Sequence, residues 1–348
     1  MQPFSGVYAT YLIPNNHPDI NVRYQQLETA IKLVYASIFT ESAMSYFDAV
    51  NYKIEEEKMA VVVQEVVGHQ YNDHYYPSIS GVAQSYNFYP VSYMEPEDGF
   101  AVAAIGLGMY VVGGENAYRF CPRYPKINTL SDHDLVRDSQ KEFYAIDMDH
   151  TQFDLENGGE NAAIRKMKIS FAEKDGVLQH CASVYDHEND HLIPGIDSPG
   201  LRVIDFANIL KYNQVPLADT LNLLLKLFRE AMGSPVEIEY AVDLENGENN
   251  LPTFYLLQIK PLIRRDEQLT VNIGNIDPEK TIMFAKRGMG NGIVSGITDI
   301  IFVDPDRFDK MKTREIAAEI NQFNRKMDFL NKEYILIGPG RWGTRDPF

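Results

Sequence analysis

The pattern of apolar and polar positions along this chain changes period several times, and each change marks an element. Leu27, Ile31, Val34, Tyr35 and Ile38 recur at helical spacing, and Ala43, Met44 and Phe47 continue the stripe after Thr40-Glu41, so residues 23–48 are expected to be helical. Residues 59–67 form a short, continuous, β-branched run, which predicts a buried strand. Residues 100–107 read the same way and end in Gly106-Leu107-Gly108. Residues 4–13 alternate loosely around Gly6 and predict a strand or strand pair. The pattern is weakest over 122–200, where short strands at 166–171 and 182–185 stand among acidic loops. Pro216 then opens a helix with Leu217, Leu221, Leu224, Leu225 and Phe228 on one face, and Gly233 closes it. After a linker near 264–276 the last part holds a strand at 297–303, a helix at about 307–330 and a strand at 334–337.

Two segments carry the most chemistry. Pro235-Val236-Glu237-Ile238-Glu239-Tyr240 and Phe254-Tyr255-Leu256-Leu257-Gln258-Ile259-Lys260-Pro261 read as strands. The polar stretch between them contains Asn246-Gly247, so the pair predicts a β-hairpin. Glu239 on one strand and Gln258 and Lys260 on the other then project from one face. A carboxylate, a carboxamide oxygen and a cation side by side suit a Mg²⁺-bound triphosphate, with hard oxygens on the metal and the ammonium on phosphate. An ordinary amphipathic hairpin with a surface ion pair is the alternative.

Composition narrows the classes. The chain has 348 residues, 45% hydrophobic and 23% charged, enough for two domains. A net charge of −17 without a basic stripe argues against nucleic acid and anionic membrane as partners. No apolar run reaches the length of a membrane span, and Met1-Gln2-Pro3-Phe4 lacks the basic head and apolar stretch of a signal peptide, so none is expected in these residues. Two cysteines, Cys121 and Cys181, suit a reducing cytoplasm. Gly106 to Gly114 is rich in glycine but lacks the Gly-Lys-Ser/Thr of a Walker loop, leaving a close-approach turn near a ligand or a tight turn between strands. His180 and the run Asp186 to His191 hold metal-ligand types but read as an exposed acidic loop, as do His69, Asp73 and His74. The chain closes on a glycine- and arginine-containing loop directly after an apolar strand, so it is expected to be a piece of a longer protein.

Five segments, in order, resemble the N-terminal ATP-binding domain of the phosphoenolpyruvate synthase and pyruvate phosphate dikinase family. They are Phe4 to Thr10, Val34 to Ala43, the run 59–67 with Ser80-Gly81-Val82-Ala83 after it, Phe100 to Gly114, and the two hairpin strands with Glu237-Ile238-Glu239-Tyr240 and Leu257-Gln258-Ile259-Lys260-Pro261. The resemblance covers about residues 1–263. It implies an α+β, ATP-grasp-like nucleotide-binding lobe with antiparallel sheets and flanking helices over 1–265, and the start of a further α/β domain over 266–348.

The resemblance also implies roles. Gly6 would let the backbone approach the phosphates of ATP, and Thr10 would hydrogen-bond them. Gln64 would read the adenine, with the backbone of Val66 or Val67. Glu239 and Gln258 would bind Mg²⁺ and phosphate, and Lys260 stands where the family usually has Arg. Met109 replaces a usual Glu. A Lys and an Arg of the family pattern fall upstream of Met1. In the family ATP phosphorylates a histidine on a separate domain, which passes the phosphoryl group to pyruvate. The implied partners are therefore phosphohistidine and pyruvate-binding domains of the same parent chain, and a homodimer is compatible with them. A non-catalytic ATP-grasp-like module, or a phosphotransferase with a sugar or antibiotic acceptor, is the alternative.

Overall fold

A computed structural model of the chain describes residues 7–49, 57–88, 90, 94–127, 130–244, 251–262, 278–283, 295–309, 312–330 and 332–339. The chain divides into two compact units, residues 1–262 and 263–348. The linker expected at 264–276 lies outside the described residues.

In the first unit the strands are, in chain order, β1 (His69–Tyr71), β2 (His74–Tyr76), β3 (Ile79–Gln84), β4 (Phe100–Ala104), β5 (Tyr118–Phe120), β6 (Glu142–Asp147), β7 (Ile164–Lys168), β8 (Ala182–Asp186), β9 (His191–Pro194), β10 (Leu201–Ile204), β11 (Val236–Asp243) and β12 (Thr253–Pro261). They form three sheets, ordered β1-β2-β6-β7, β10-β8-β9 and β12-β11-β3-β4-β5. Every pairing in them is antiparallel, and helices flank them, so the fold is α+β.

The five-stranded sheet positions the chemistry. Because side chains alternate along a strand, Ile79 and Ala83 of β3, Ala101 and Ala103 of β4, and Val236 and Ile238 of β11 all turn to one face, where they are buried. The helix Leu217–Met232 packs there through Leu217, Leu221 and Leu225. Its bounds follow the sequence signals: Pro216 caps its start, and Gly233 ends it in the left-handed conformation, φ 65°. The other face of the sheet carries the polar residues described below.

Several sequence expectations are corrected. Residues 7–13 carry no strand. Their backbone bonds side chains rather than a ladder: Ala9 N donates to Ser37 Oγ at 3.0 Å, and Thr10 N donates to Glu160. Residues 59–67 are not a buried strand either, for Val62 is 82% and Val63 66% exposed. A β-branched run has strand propensity, but a strand needs a partner to pair with, and this run has none among the described residues. The helix expected over 23–48 is broken. Ile20–Ala36 and Glu41–Ala49 flank a 3₁₀ turn, Ser37–Phe39, where Ser37 Oγ bonds back to Val34 O at 2.7 Å and Thr40 Oγ1 to Ser37 O at 2.8 Å. The strand expected at 166–171 is β7 followed by the helix Ile169–Lys174.

His74 is buried rather than part of an exposed loop. Its Nδ1 lies 2.9 Å from Asp73 Oδ1 and its Nε2 2.8 Å from Asp175 Oδ2, which also accepts the Tyr76 hydroxyl at 2.8 Å. The acidic loop at 186–191 is as expected: Asp186 caps its own turn through Glu188 N and Asn189 N. Among the described residues no group of three or more His, Cys, Asp or Glu is arranged to hold a metal.

A second buried carboxylate ties β8 to the helix Ala207–Leu210. Asp205 Oδ2 accepts from Ser183 Oγ at 2.7 Å and Oδ1 from Ala207 N at 3.1 Å, and burial raises its pKa. Ser183→Ala removes one donor and leaves a buried oxygen unsatisfied, so urea denaturation is expected to show a loss of about 1–3 kcal/mol.

In the second unit β13 (Asp299–Phe302) and β14 (Tyr334–Ile337) pair in parallel, joined by the helix Thr313–Phe329. A parallel pair requires such a crossover.

Candidate functional site

The polar face of the five-stranded sheet gathers residues from strands far apart in sequence. On β11, Glu237 and Glu239 are two apart and share it, while Ile238 between them points to the core. Register then sets their neighbours. Glu237 stands opposite Lys260 of β12 and Gln84 of β3, and Glu239 opposite Gln258 of β12 and Val82 of β3. Directly opposed residues share a face, so Glu237, Glu239, Gln258, Lys260 and Gln84 form one patch. Just beyond Glu239 the β11–β12 register shifts by one residue, a bulge that ends the patch.

Lys260 is the centre of this patch. Its Nζ is 2.9 Å from Glu237 Oε1 and 2.9 Å from Glu239 Oε1. The other oxygen of Glu237 accepts from Gln84 Nε2. Burial pulls the ammonium pKa down, but hydrogen bonds to the two glutamates and their charge outweigh it, and the pKa is raised. All three charged side chains are partly buried, with 16–29% exposure, which strengthens their interaction relative to a surface pair. Gln258 is exposed beside them.

The structure thus brings Glu239, Gln258 and Lys260 together and adds two residues the sequence reading did not single out. Glu237 had a signal, since it precedes Glu239 by two on the same strand. Gln84 had none, because its place depends on how β3 pairs with β11. A further cation, Arg119 of β5, sits in the row of Glu239 through Val82 and Val102. Its guanidinium lies 3.7 Å from the Phe100 ring centroid and donates to Asn87 Oδ1 at 3.0 Å, and desolvation lowers its pKa.

The other sequence-predicted residues are placed differently. Gly6 lies outside the described residues. Thr10 is exposed, held through its backbone by Glu160. Gln64 is exposed and Val67 half-buried on the segment without strand structure. That segment reaches the far end of the hairpin through Tyr75, whose hydroxyl donates to Val66 O at 2.7 Å. The Tyr75 pKa is raised by burial first, then by the charge of Glu65 and Asp243. The glycine-rich turn sits at the opposite end of β3 from Glu237. Ser80, which donates to Gly106 O at 2.6 Å, is four residues from Gln84, or about 13 Å along the strand. Gly106 has φ 91°, and a Cβ there would meet Tyr144 O at 2.7 Å, so it is a tight turn between packed strands.

The donor set has a definite chemistry. Two carboxylates and two carboxamides offer hard oxygen ligands, which suit Mg²⁺ or Mn²⁺ rather than soft metals. Two carboxylates are too few to cage a metal alone, but they match the way Mg²⁺ is held by one or two carboxylates together with substrate phosphates. The residues present therefore fit a metal that arrives with a polyphosphate. In contrast, the apolar hollow of about 540 Å³ in the second unit, lined by Ile282, Met283, Ile300, Phe302, Ile337 and neighbours, presents no charged side chain among the described residues.

Residues 1–281 match the family described as pyruvate phosphate dikinase, AMP/ATP-binding domain. A phosphoenolpyruvate synthase of Aeropyrum pernix is 28% identical over 328 residues, covering 90% of this chain and 34% of that protein. The chain thus spans about a third of the length of that curated relative.

Proposed function

The chain belongs to the family of the pyruvate phosphate dikinase AMP/ATP-binding domain, and from that premise we propose that it is the ATP-binding portion of a phosphoenolpyruvate synthase-like phosphotransferase, with the Glu237–Glu239–Gln258–Lys260 face as its Mg²⁺·triphosphate site. In this reading ATP phosphorylates a carrier histidine on another domain of the parent protein, in the cytoplasm, and pyruvate is the later acceptor. The observation that carries it is the convergence of two carboxylates, two carboxamides and one cation on one sheet face.

Bound Mg²⁺ would offset charge on the transferring phosphoryl group. The chain's own residues do the rest. Glu237, Glu239 and Gln258 would supply oxygens to the metal. Lys260 meets phosphate oxygens as a point charge, without the bidentate fork an Arg would give. Gln84 fixes the orientation of Glu237. The paired strands hold the backbones of all of them in register. Gln64 and the backbone of Val67 would contact the base, and Gly6 and Thr10 the phosphates.

Calorimetric titration of this chain with Mg·ATP tests the assignment. Glu239→Gln is expected to weaken binding roughly tenfold or more, about 1.4 kcal/mol. Asp186→Asn, in the exposed acidic loop, is expected to leave it unchanged. Equal effects in the two variants would sink the site assignment, and absence of binding by the unaltered chain would sink the nucleotide reading itself.

A further inference from the structure

We infer that Lys260 is an internal counter-ion that keeps the Glu237–Glu239 pair closed to a divalent cation until a polyphosphate arrives, so that metal and nucleotide bind together rather than separately. The inference rests on the nucleotide reading above and goes one step past it.

The argument is one of shared oxygens. The ammonium is 2.9 Å from Oε1 of Glu237 and 2.9 Å from Oε1 of Glu239. A metal held by both carboxylates sits within reach of that ammonium and needs an oxygen of Glu237, where Lys260 engages one and Gln84 Nε2 donates to the other. Two cations cannot share that position without strong repulsion. Nor does the protein offer the metal compensation, since no third acidic or imidazole ligand stands with the pair among the described residues. A metal alone must therefore displace a partly buried ammonium and leave it without its two carboxylates. A metal that comes with a polyphosphate does not, because phosphate oxygens give the ammonium new charge-assisted partners.

The residue type matters to this exchange. Lysine is a compact charge on a flexible four-carbon stem, whereas an arginine fork is planar and would hold both carboxylates in a fixed geometry. Lys260 lies on the outermost strand, β12, so its stem can swing without disturbing the core. Electrostatic exchange of this kind makes the two ligands strongly and reciprocally cooperative.

Mn²⁺ is the probe, with free ion measured by electron paramagnetic resonance on the full chain. In the unaltered protein, ATP is expected to raise Mn²⁺ affinity by about 5–150-fold, and Mn²⁺ to raise ATP affinity by the same factor. Lys260→Met is expected to bind Mn²⁺ alone roughly tenfold more tightly than the unaltered chain and Mn·ATP roughly tenfold more weakly, changes of opposite sign within the same coupling range. Lys260→Arg is expected to remain weak for Mn²⁺ alone. Loss of Mn·ATP binding in Lys260→Met without a gain for Mn²⁺ alone would overturn the inference while leaving the nucleotide site standing. Should Lys260→Met not fold, the unaltered chain decides, since equal Mn²⁺ affinity with and without ATP overturns the inference. An unaltered chain that binds neither ATP nor Mn·ATP overturns the nucleotide reading, and the inference falls with it.

Discussion

His74→Leu is expected to cost the first unit about 1–3 kcal/mol, the loss typical when a buried group is left without its hydrogen-bond partner. His74 is only 2% exposed, on β2, and faces a carboxylate at each ring nitrogen. Asp175 is the critical neighbour. Its side chain is 7% exposed, and it follows the helix Ile169–Lys174, so the contact ties that helix to the sheet β1-β2-β6-β7. Leucine would strand the Asp175 carboxylate with the Tyr76 hydroxyl as its remaining side-chain donor. Urea denaturation measures the loss, and adding Asp175→Asn should recover part of it by removing the uncompensated charge. A purely additive double variant would show that the two side chains do not interact. Acidity gives a second check. The hydrogen bond from His74, and then that from Arg165, lower the Asp73 pKa from 3.8 to about 2. A depressed carboxylate stabilises the fold above its unfolded pKa, and the contribution is lost as pH falls through the folded value. The stability difference between the unaltered chain and His74→Leu should therefore narrow from about pH 4 to pH 2. Asp73 is half exposed, so solvent screening keeps its share of that difference small.

The same histidine shows where a sequence stops being legible. Asn72-Asp73-His74 reads as a polar loop, and nothing nearby announces Asp175, 101 residues later. The run 59–67 misleads for a related reason. Its composition has the period and branching of a buried strand, but pairing is a tertiary event that composition does not encode. Elements whose signals are wholly local were readable. The helix Leu217–Met232 had its leucine stripe, Pro216 and Gly233. The β11–β12 hairpin had two apolar strands around a polar stretch, whose Asn246-Gly247 lies outside the described residues, and Glu239, Gln258 and Lys260 on one face followed from it. Glu237 was readable by the same alternation. Gln84 and Arg119 were not, since β3 and β5 reach the site only through the sheet order β12-β11-β3-β4-β5.

That sheet order rests on one small residue, and Gly81→Ala is expected to remove about 3 kcal/mol, at the upper end for overpacking. Gly81 lies in the middle of β3, paired with Tyr240 of β11 and Ala103 of β4. The Tyr240 ring crosses the strand there, and its hydroxyl donates to Val102 O at 3.0 Å. A Cβ on residue 81 would collide with the Val102 carbonyl and with the end of the Tyr240 ring. Neither neighbour can yield cheaply, for one is ladder backbone and the other is 1% exposed. Displacement of Tyr240 would be felt at the site, because it adjoins Glu239 at the point where the β11–β12 register shifts. Gly81→Ala should therefore weaken Mg·ATP binding even at temperatures where circular dichroism shows the chain folded. Adding Tyr240→Leu removes the ring but not the carbonyl clash, so it should restore stability only in part. Full stability in Gly81→Ala would mean that β3 and β11 do not pack as described, and the face that holds Glu237, Glu239 and Lys260 would lose its structural basis.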